Sequence, residues 1–199
     1  LGESRRVGEA FAGCEVEGYA ADITRSFPVN GRFNAAQKDV YQIVLAAQDA
    51  AFAATAPGRH FMEGHDAAVR VLTQGLIDLK LLTGDLDNLI DKGDYKRFYM
   101  HRTGHWLGLD VHDAGEYKVG DEWTKLQPGM TLTVEPGLYI RPGADIPPAL
   151  AGMLFLGLDL GTARAASASS RTRAMSSSLN SPCTPEIAAS FMPCFSPSW

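Results

Sequence analysis

His101-Arg-Thr-Gly-His105-Trp-Leu-Gly-Leu-Asp-Val-His112-Asp113, followed by Thr131-Leu-Thr-Val-Glu135-Pro-Gly-Leu-Tyr139, is the stretch on which the reading of this chain turns. The first segment reads as a loop leading into a strand. It holds three of the five histidines. The second belongs to an apolar, β-branched run, Met130 to Ile140, that reads as a strand pair broken at Pro136-Gly137, with a carboxylate at the break. Imidazole and carboxylate gathered in this way suit a hard-to-borderline divalent metal.

Upstream, Ala12 to Phe27 reads as two short strands joined at Glu17-Gly18, closed by the turn Pro28-Val-Asn-Gly31. Asn34 opens a helix, with Gln37 at capping-box spacing. Val40, Ile43, Val44, Ala47 and Ala51 give that helix one apolar face, and Pro57-Gly58 ends it. A second helix is expected from Met62 to Leu82, with Ala68, Val71, Leu72, Leu76 and Leu79 on one face. Gly84 and the acidic stretch to Asp94 read as a loop or short helical turn. Interspersed helices and hairpins predict an α+β domain. The first ten residues show no periodicity. After Gly152 the text turns to Ser- and Pro-rich low complexity, for which no stable structure is expected.

Composition narrows the function classes. A net charge of -5 argues against a nucleic-acid binder. No apolar run reaches the length of a membrane span, and the start lacks a signal-peptide pattern. Three cysteines, an odd number with no CxxC, point away from a disulfide framework and toward a reducing, cytoplasmic setting. Cys14 reads as a small buried hydrophobe.

Each candidate has a plainer alternative. Asp22 lies among apolar neighbours, where a buried carboxylate needs a cation or a donor; taken alone, it reads more readily as an exposed hairpin residue. His105 could be a core histidine satisfied by a carbonyl. Three histidines in twelve residues, flanking Gly104 and Gly108, favour a site, with the glycines letting backbone approach a ligand. Glu135 could be an edge carboxylate, but Leu132, Val134 and Leu138 around it are apolar. The spacing excludes HExxH and zinc-finger sites. His60 and His65 read as solvated or helix-end residues.

Taken together, Gly18-Tyr-Ala-Ala-Asp22-Ile-Thr-Arg-Ser-Phe-Pro-Val-Asn-Gly31, the His105 to Asp113 run and Leu126 to Tyr139 resemble the catalytic domain of bacterial Xaa-Pro aminopeptidases. These are pita-bread metallopeptidases, related to prolidase, methionine aminopeptidase and creatinase. The resemblance spans Ala12 to Leu150. It implies two divalent metals, commonly Mn with Co or Zn possible, held by two aspartates, one histidine and two glutamates. By it, Asp22, His105 and Glu135 are metal ligands. Glu135 also activates the attacking water, while His112 and His101 are catalytic residues on the substrate side. The implied substrate is a peptide with proline second, and family members are often homo-oligomers. No nucleic-acid or membrane partner is implied.

Two ligand positions depart from that pattern. The first aspartate falls on Phe11, which has no donor atom. The last glutamate's strand is replaced by Met153-Leu-Phe-Leu-Gly-Leu-Asp159-Leu-Gly, where Asp159 lacks the family context. The expected organisation is 1–11 non-matching, 12–152 a partial metallopeptidase domain incomplete at both ends, and 153–199 a disordered or frame-shifted tail. Abrupt breaks of this kind are what a misread frame produces, and codons for Ser169-Ser170-Arg171-Thr172 exist that encode Ile-Glu-Asp one frame away. The expectation is an impaired aminopeptidase with a sheet edge left unpaired or poorly paired. The alternatives are a non-catalytic binding module of the same fold, or a prolidase acting on dipeptides.

Overall fold

Two helices carry the core. In the computed structural model, which describes residues 7–141, 146, 150 and 163–165, α1 runs Ala35–Ala54 and α2 runs Glu63–Asp78. Asn34 Oδ1 accepts from the Gln37 amide at 2.9 Å, and Gln37 Oε1 accepts from the Asn34 amide at 2.8 Å. This closes the expected capping box. Val40, Val44, Ala47 and Ala51 of α1 pack on Ala68, Leu72 and Leu76 of α2, all fully buried. Leu138 and Ile140 close the same core from the other side of the chain.

α2 stops four residues before the expected Leu82. Lys80 adopts φ 61°, its amide donates to the Ile77 carbonyl, and the Leu81 amide donates to the Leu76 carbonyl. Those two bonds form a Schellman cap built on lysine in the place usually taken by glycine. The acidic loop contains a short helix, α3 (Leu86–Lys92), capped by Asp85 and ended by left-handed Gly93.

The N-terminal region holds more strand than expected. β1 (Val7–Ala12) pairs antiparallel with β4 (Ile23–Pro28), from Val7↔Pro28 to Ala12↔Ile23. Between them β2 (Glu15–Val16) and β3 (Tyr19–Ala20) form a smaller hairpin turning at Glu17-Gly18. Pairing across the hairpin orders Val7 to Ala10, whose own sequence shows no period.

A further hairpin, β5 (Lys118–Val119) with β6 (Glu122–Trp123), lies between the two decisive segments. Of the expected strand pair in Met130–Ile140, only β7 (Thr131–Thr133) is a strand. Beyond it the backbone bonds to loops instead of a ladder: the Glu135 amide to the Thr103 carbonyl, the Tyr139 amide to the Phe98 carbonyl. β8 (Ala163–Ala165) pairs antiparallel with β7, Leu132 opposite Arg164, so three residues of the low-complexity region supply strand where no element was expected. Leu1–Ser167 is one compact unit; the other, Ala168–Trp199, lies outside the described residues, as does Asp159. Among the described residues no helix is long and apolar enough to cross a membrane.

Candidate metal centre

Three backbone attachments assemble the site. The Ala20 amide donates to the Gly108 carbonyl at 2.8 Å, pinning the hairpin that carries Asp22 to the histidine loop. The Thr133 amide donates to the His105 carbonyl at 2.9 Å, and the His105 amide to Thr133 Oγ1 at 3.0 Å. Glu135 is held through its amide by Thr103. Gly104 makes this possible: a Cβ there would sit 2.0 Å from the Thr133 carbonyl oxygen. At Gly108 a Cβ would sit 1.9 Å from Asp113 Oδ2. The glycines were expected to let backbone approach a ligand. What they admit is protein: β7 in one case and the loop's own Asp113 in the other.

The side chains then converge. His105 Nε2 lies 3.3 Å from Asp22 Oδ2 and 3.0 Å from Glu135 Oε1, with the three side chains only 13–19% exposed. His105 Nδ1 is 2.9 Å from the Trp106 carbonyl, which can only accept, so Nδ1 carries the hydrogen and Nε2 faces the carboxylates. Despite the short distances, both His105 Nε2 and Glu135 Oε1 are buried without a hydrogen-bond partner. Buried polar atoms left this way are costly unless something fills the gap. Ligand atoms about 2.1 Å from one ion, at adjacent positions, are about 3.0–3.4 Å apart. The measured separations fall in that range, so these residues fit a divalent metal.

The electrostatics agree. Burial works against protonation of His105, but Glu135, the Trp106 carbonyl and Asp22 outweigh it and raise its pKa to about 9. Burial pushes Glu135 up, yet His105, Thr133 and His101 bring its pKa below the usual value. A proton on His105 therefore stands where a cation is wanted.

His112 stacks on His105, ring centroids 3.9 Å apart at 18°, and its ligand atom falls within 4.8 Å of those of Asp22 and His105. His101 stands to one side: Nδ1 donates to the Arg102 carbonyl (2.8 Å), so Nε2 accepts from the Tyr139 hydroxyl (2.7 Å). Asp22, His105, Glu135 and His112 are thus brought together, while His101 is engaged by Tyr139.

His65 is not the solvated residue expected. Its Nδ1 lies 2.9 Å from Thr103 Oγ1, which also meets the Tyr99 hydroxyl at 2.6 Å. Burial first, then His101, Arg102 and Lys96, lower its pKa to about 4. It thus supports the residue whose carbonyl holds Glu135. Only its i, i+3/i+4 spacing to the apolar face of α2 could have signalled burial. His60 makes the helix-end contact through its amide, which donates to Glu63 Oε1 at 2.8 Å, while its ring Nδ1 lies 2.9 Å from the Trp123 carbonyl of β6. Cys14 is exposed, not buried, because it lies at the neck of the hairpin, where its carbonyl accepts from Ala21. Phe11 stands opposite Thr24 in the β1–β4 register.

Residues 10–166 match metallopeptidase family M24. The chain belongs to that family. The match runs past residue 152 and includes β8. Within the family the likeness is to Xaa-Pro aminopeptidases: 52% identity over 136 residues to the Haemophilus influenzae enzyme, covering 68% of this chain and 31% of that protein. Pseudomonas aeruginosa aminopeptidase PepP superposes with a TM-score of 0.77 at 52% identity, covering 81% of this chain and 36% of that one. Zn-substituted Escherichia coli aminopeptidase P in complex with product gives 0.75 at 43%, with the same coverage. The fold is the pita-bread fold of these metallopeptidases. The chain spans about a third of the length of the relatives it matches.

Proposed function

We propose that this chain carries the metal-binding core of an aminopeptidase that removes the N-terminal residue preceding a proline. The observation that carries the reading is the convergence of His105 Nε2 on Asp22 and Glu135, with His105 Nε2 and Glu135 Oε1 buried and without a hydrogen-bond partner. The named activity of the relatives supplies the reaction.

Asp22, His105 and Glu135 are the proposed ligands, with Mn the first candidate and Co or Zn the others. A divalent ion bound there would lower the pKa of water and polarise the scissile carbonyl. Glu135, its pKa lowered, is ionised at neutral pH and can take the attacking water's proton. His112, exposed beside the ligands, lies where a substrate carbonyl would be met. His101 would act from the flank, through the Nε2 that now accepts from Tyr139. A tertiary Xaa-Pro amide has no N–H to donate, which gives reason for a dedicated pocket.

Two-metal hydrolysis needs carboxylates on both ions. Phenylalanine at position 11 offers none, so the proposal includes impairment: three ligands, one ion and little turnover. The remaining expectations stand with it: a catalytic segment at 12–152 and a cytoplasmic setting, the latter supported by the cysteine count. The test is hydrolysis of an Xaa-Pro-Xaa tripeptide and an Xaa-Pro dipeptide, with and without Mn²⁺. The expected result is turnover barely above the metal-free background. Turnover matching an intact relative assayed alongside would overturn the impairment. Preference for the dipeptide would replace aminopeptidase with prolidase.

A further inference from the structure

We propose that His65, on the first turn of α2, is a positioning residue of the metal centre: acting through Thr103, it sets where Glu135 stands and so how tightly an ion is held. This rests on the metal-centre reading above and adds to it a residue outside the ligand set. The contacts form a chain. Thr103 is buried, and its hydroxyl is held from two sides, by His65 Nδ1 at 2.9 Å and by the Tyr99 hydroxyl at 2.6 Å. A hydroxyl has one hydrogen and two lone pairs, so both contacts can be hydrogen bonds at once. Threonine is stiff at χ1, so a hydroxyl fixed in this way also fixes the backbone that carries it. The carbonyl of that backbone accepts from the Glu135 amide.

His65 is itself firmly seated. A Cβ on Gly64 would lie 2.6 Å from Thr55 Oγ1, so glycine lets the first turn of α2 close against Thr55, the C-cap of α1. Burial, with the charges of His101, Arg102 and Lys96, keeps the ring neutral, so the anchor brings no positive charge of its own. Gly104, the next residue after Thr103, packs the same loop against the Thr133 carbonyl at a distance no Cβ would allow. Thr103 is thus clamped between α2 and β7, and Glu135 hangs from the clamp. Ligands at a metal must hold their places to within about 0.5 Å. Removing an outer partner of a ligand therefore costs about 10–100-fold in metal affinity.

The experiment is calorimetric titration of the chelator-treated 199-residue chain with Zn²⁺, with near-UV circular dichroism to confirm that each variant is folded. His65→Leu removes the contact and should weaken Zn²⁺ binding by about tenfold. His65→Asn places an amide atom near the position of Nδ1 and should restore the affinity, a rescue that filling the space alone would not give. Thr103→Val keeps the shape, loses the hydroxyl and should weaken binding at least as much. His65→Leu added to Thr103→Val should change nothing further, because both act through one hydrogen bond. Thr103→Val carries the test by itself if His65→Leu does not fold. Unchanged affinity in His65→Leu or in Thr103→Val, no rescue by His65→Asn, or losses that add in the double variant would each overturn the inference and leave the metal centre standing. No Zn²⁺ uptake by the unmodified chain would overturn both.

Discussion

The α1–α2 layer and the metal centre are built on opposite terms. Between the helices, polar side chains mostly find partners: Thr73 Oγ1 donates to the Val69 carbonyl, Thr55 Oγ1 to the Ala51 carbonyl, Gln48 Nε2 to the Val134 carbonyl. Gln37 Nε2 is the exception there. In the centre the functional atoms are the unsatisfied ones, His105 Nε2 and Glu135 Oε1. One region is stable because its groups are satisfied. The other holds groups that a cation would satisfy. Rigid helices and backbone bonds from Thr103 and Thr133 keep the second from collapsing, as sites held on packed elements require.

The comparison breaks most easily in the helical layer. Leu72, fully buried between α1 and α2, should cost about 2–5 kcal/mol on replacement by alanine. Urea unfolding would measure it, and metal affinity at temperatures where the variant stays folded should not change. A large affinity loss in Leu72→Ala would show that the two regions are not independent.

A smaller effect separates two histidines by sign. His65 is neutral in the fold, with a pKa of about 4 against 6.5 when unfolded. Below 6.5 the unfolded chain binds a proton that the folded chain refuses. Stability therefore falls between pH 6.5 and 4, by up to about 3 kcal/mol, and this term is constant below 4. His105 runs the other way in metal-free protein. Its raised pKa gives stability that is present below 6.5 and lost as pH rises toward 9. Chelator-treated protein should thus be most stable near pH 6.5. His65→Gln should flatten the acid limb alone, while saturating metal should remove the alkaline limb by displacing the proton. A flat profile between pH 4 and 9 would contradict both assignments.

The smallest effect lies at the helix start. Asn34→Ala removes the capping box and should cost about 1 kcal/mol, with metal affinity untouched.

The helical layer was the more legible of the two regions. A capping box and a 3.6-residue period are local signals, and Asn34, Gln37 and the α1 face follow them. The stop of α2 was missed because its left-handed residue is Lys80, not glycine. β1 was missed because its order comes from β4, and β8 because Ala163–Ala165 has no strand signal of its own. At the site, the runs that hold Asp22, His105, Glu135 and His112 were distinctive in the sequence, and the fold brings these four residues together. His65, Thr103 and Tyr99 were not, because a single histidine in a helix and a buried hydroxyl look the same in text whether or not they support a neighbour.

The central claim is that His105, Asp22 and Glu135 form a cation site and not a salt-bridged cluster. Calorimetric titration of the chelator-treated chain with Mn²⁺ and Zn²⁺, alongside His105→Ala, tests it most directly. The account predicts saturable binding of one ion with proton release at pH 7, and its loss in the variant. Absence of binding, or equal binding by His105→Ala, would contradict it.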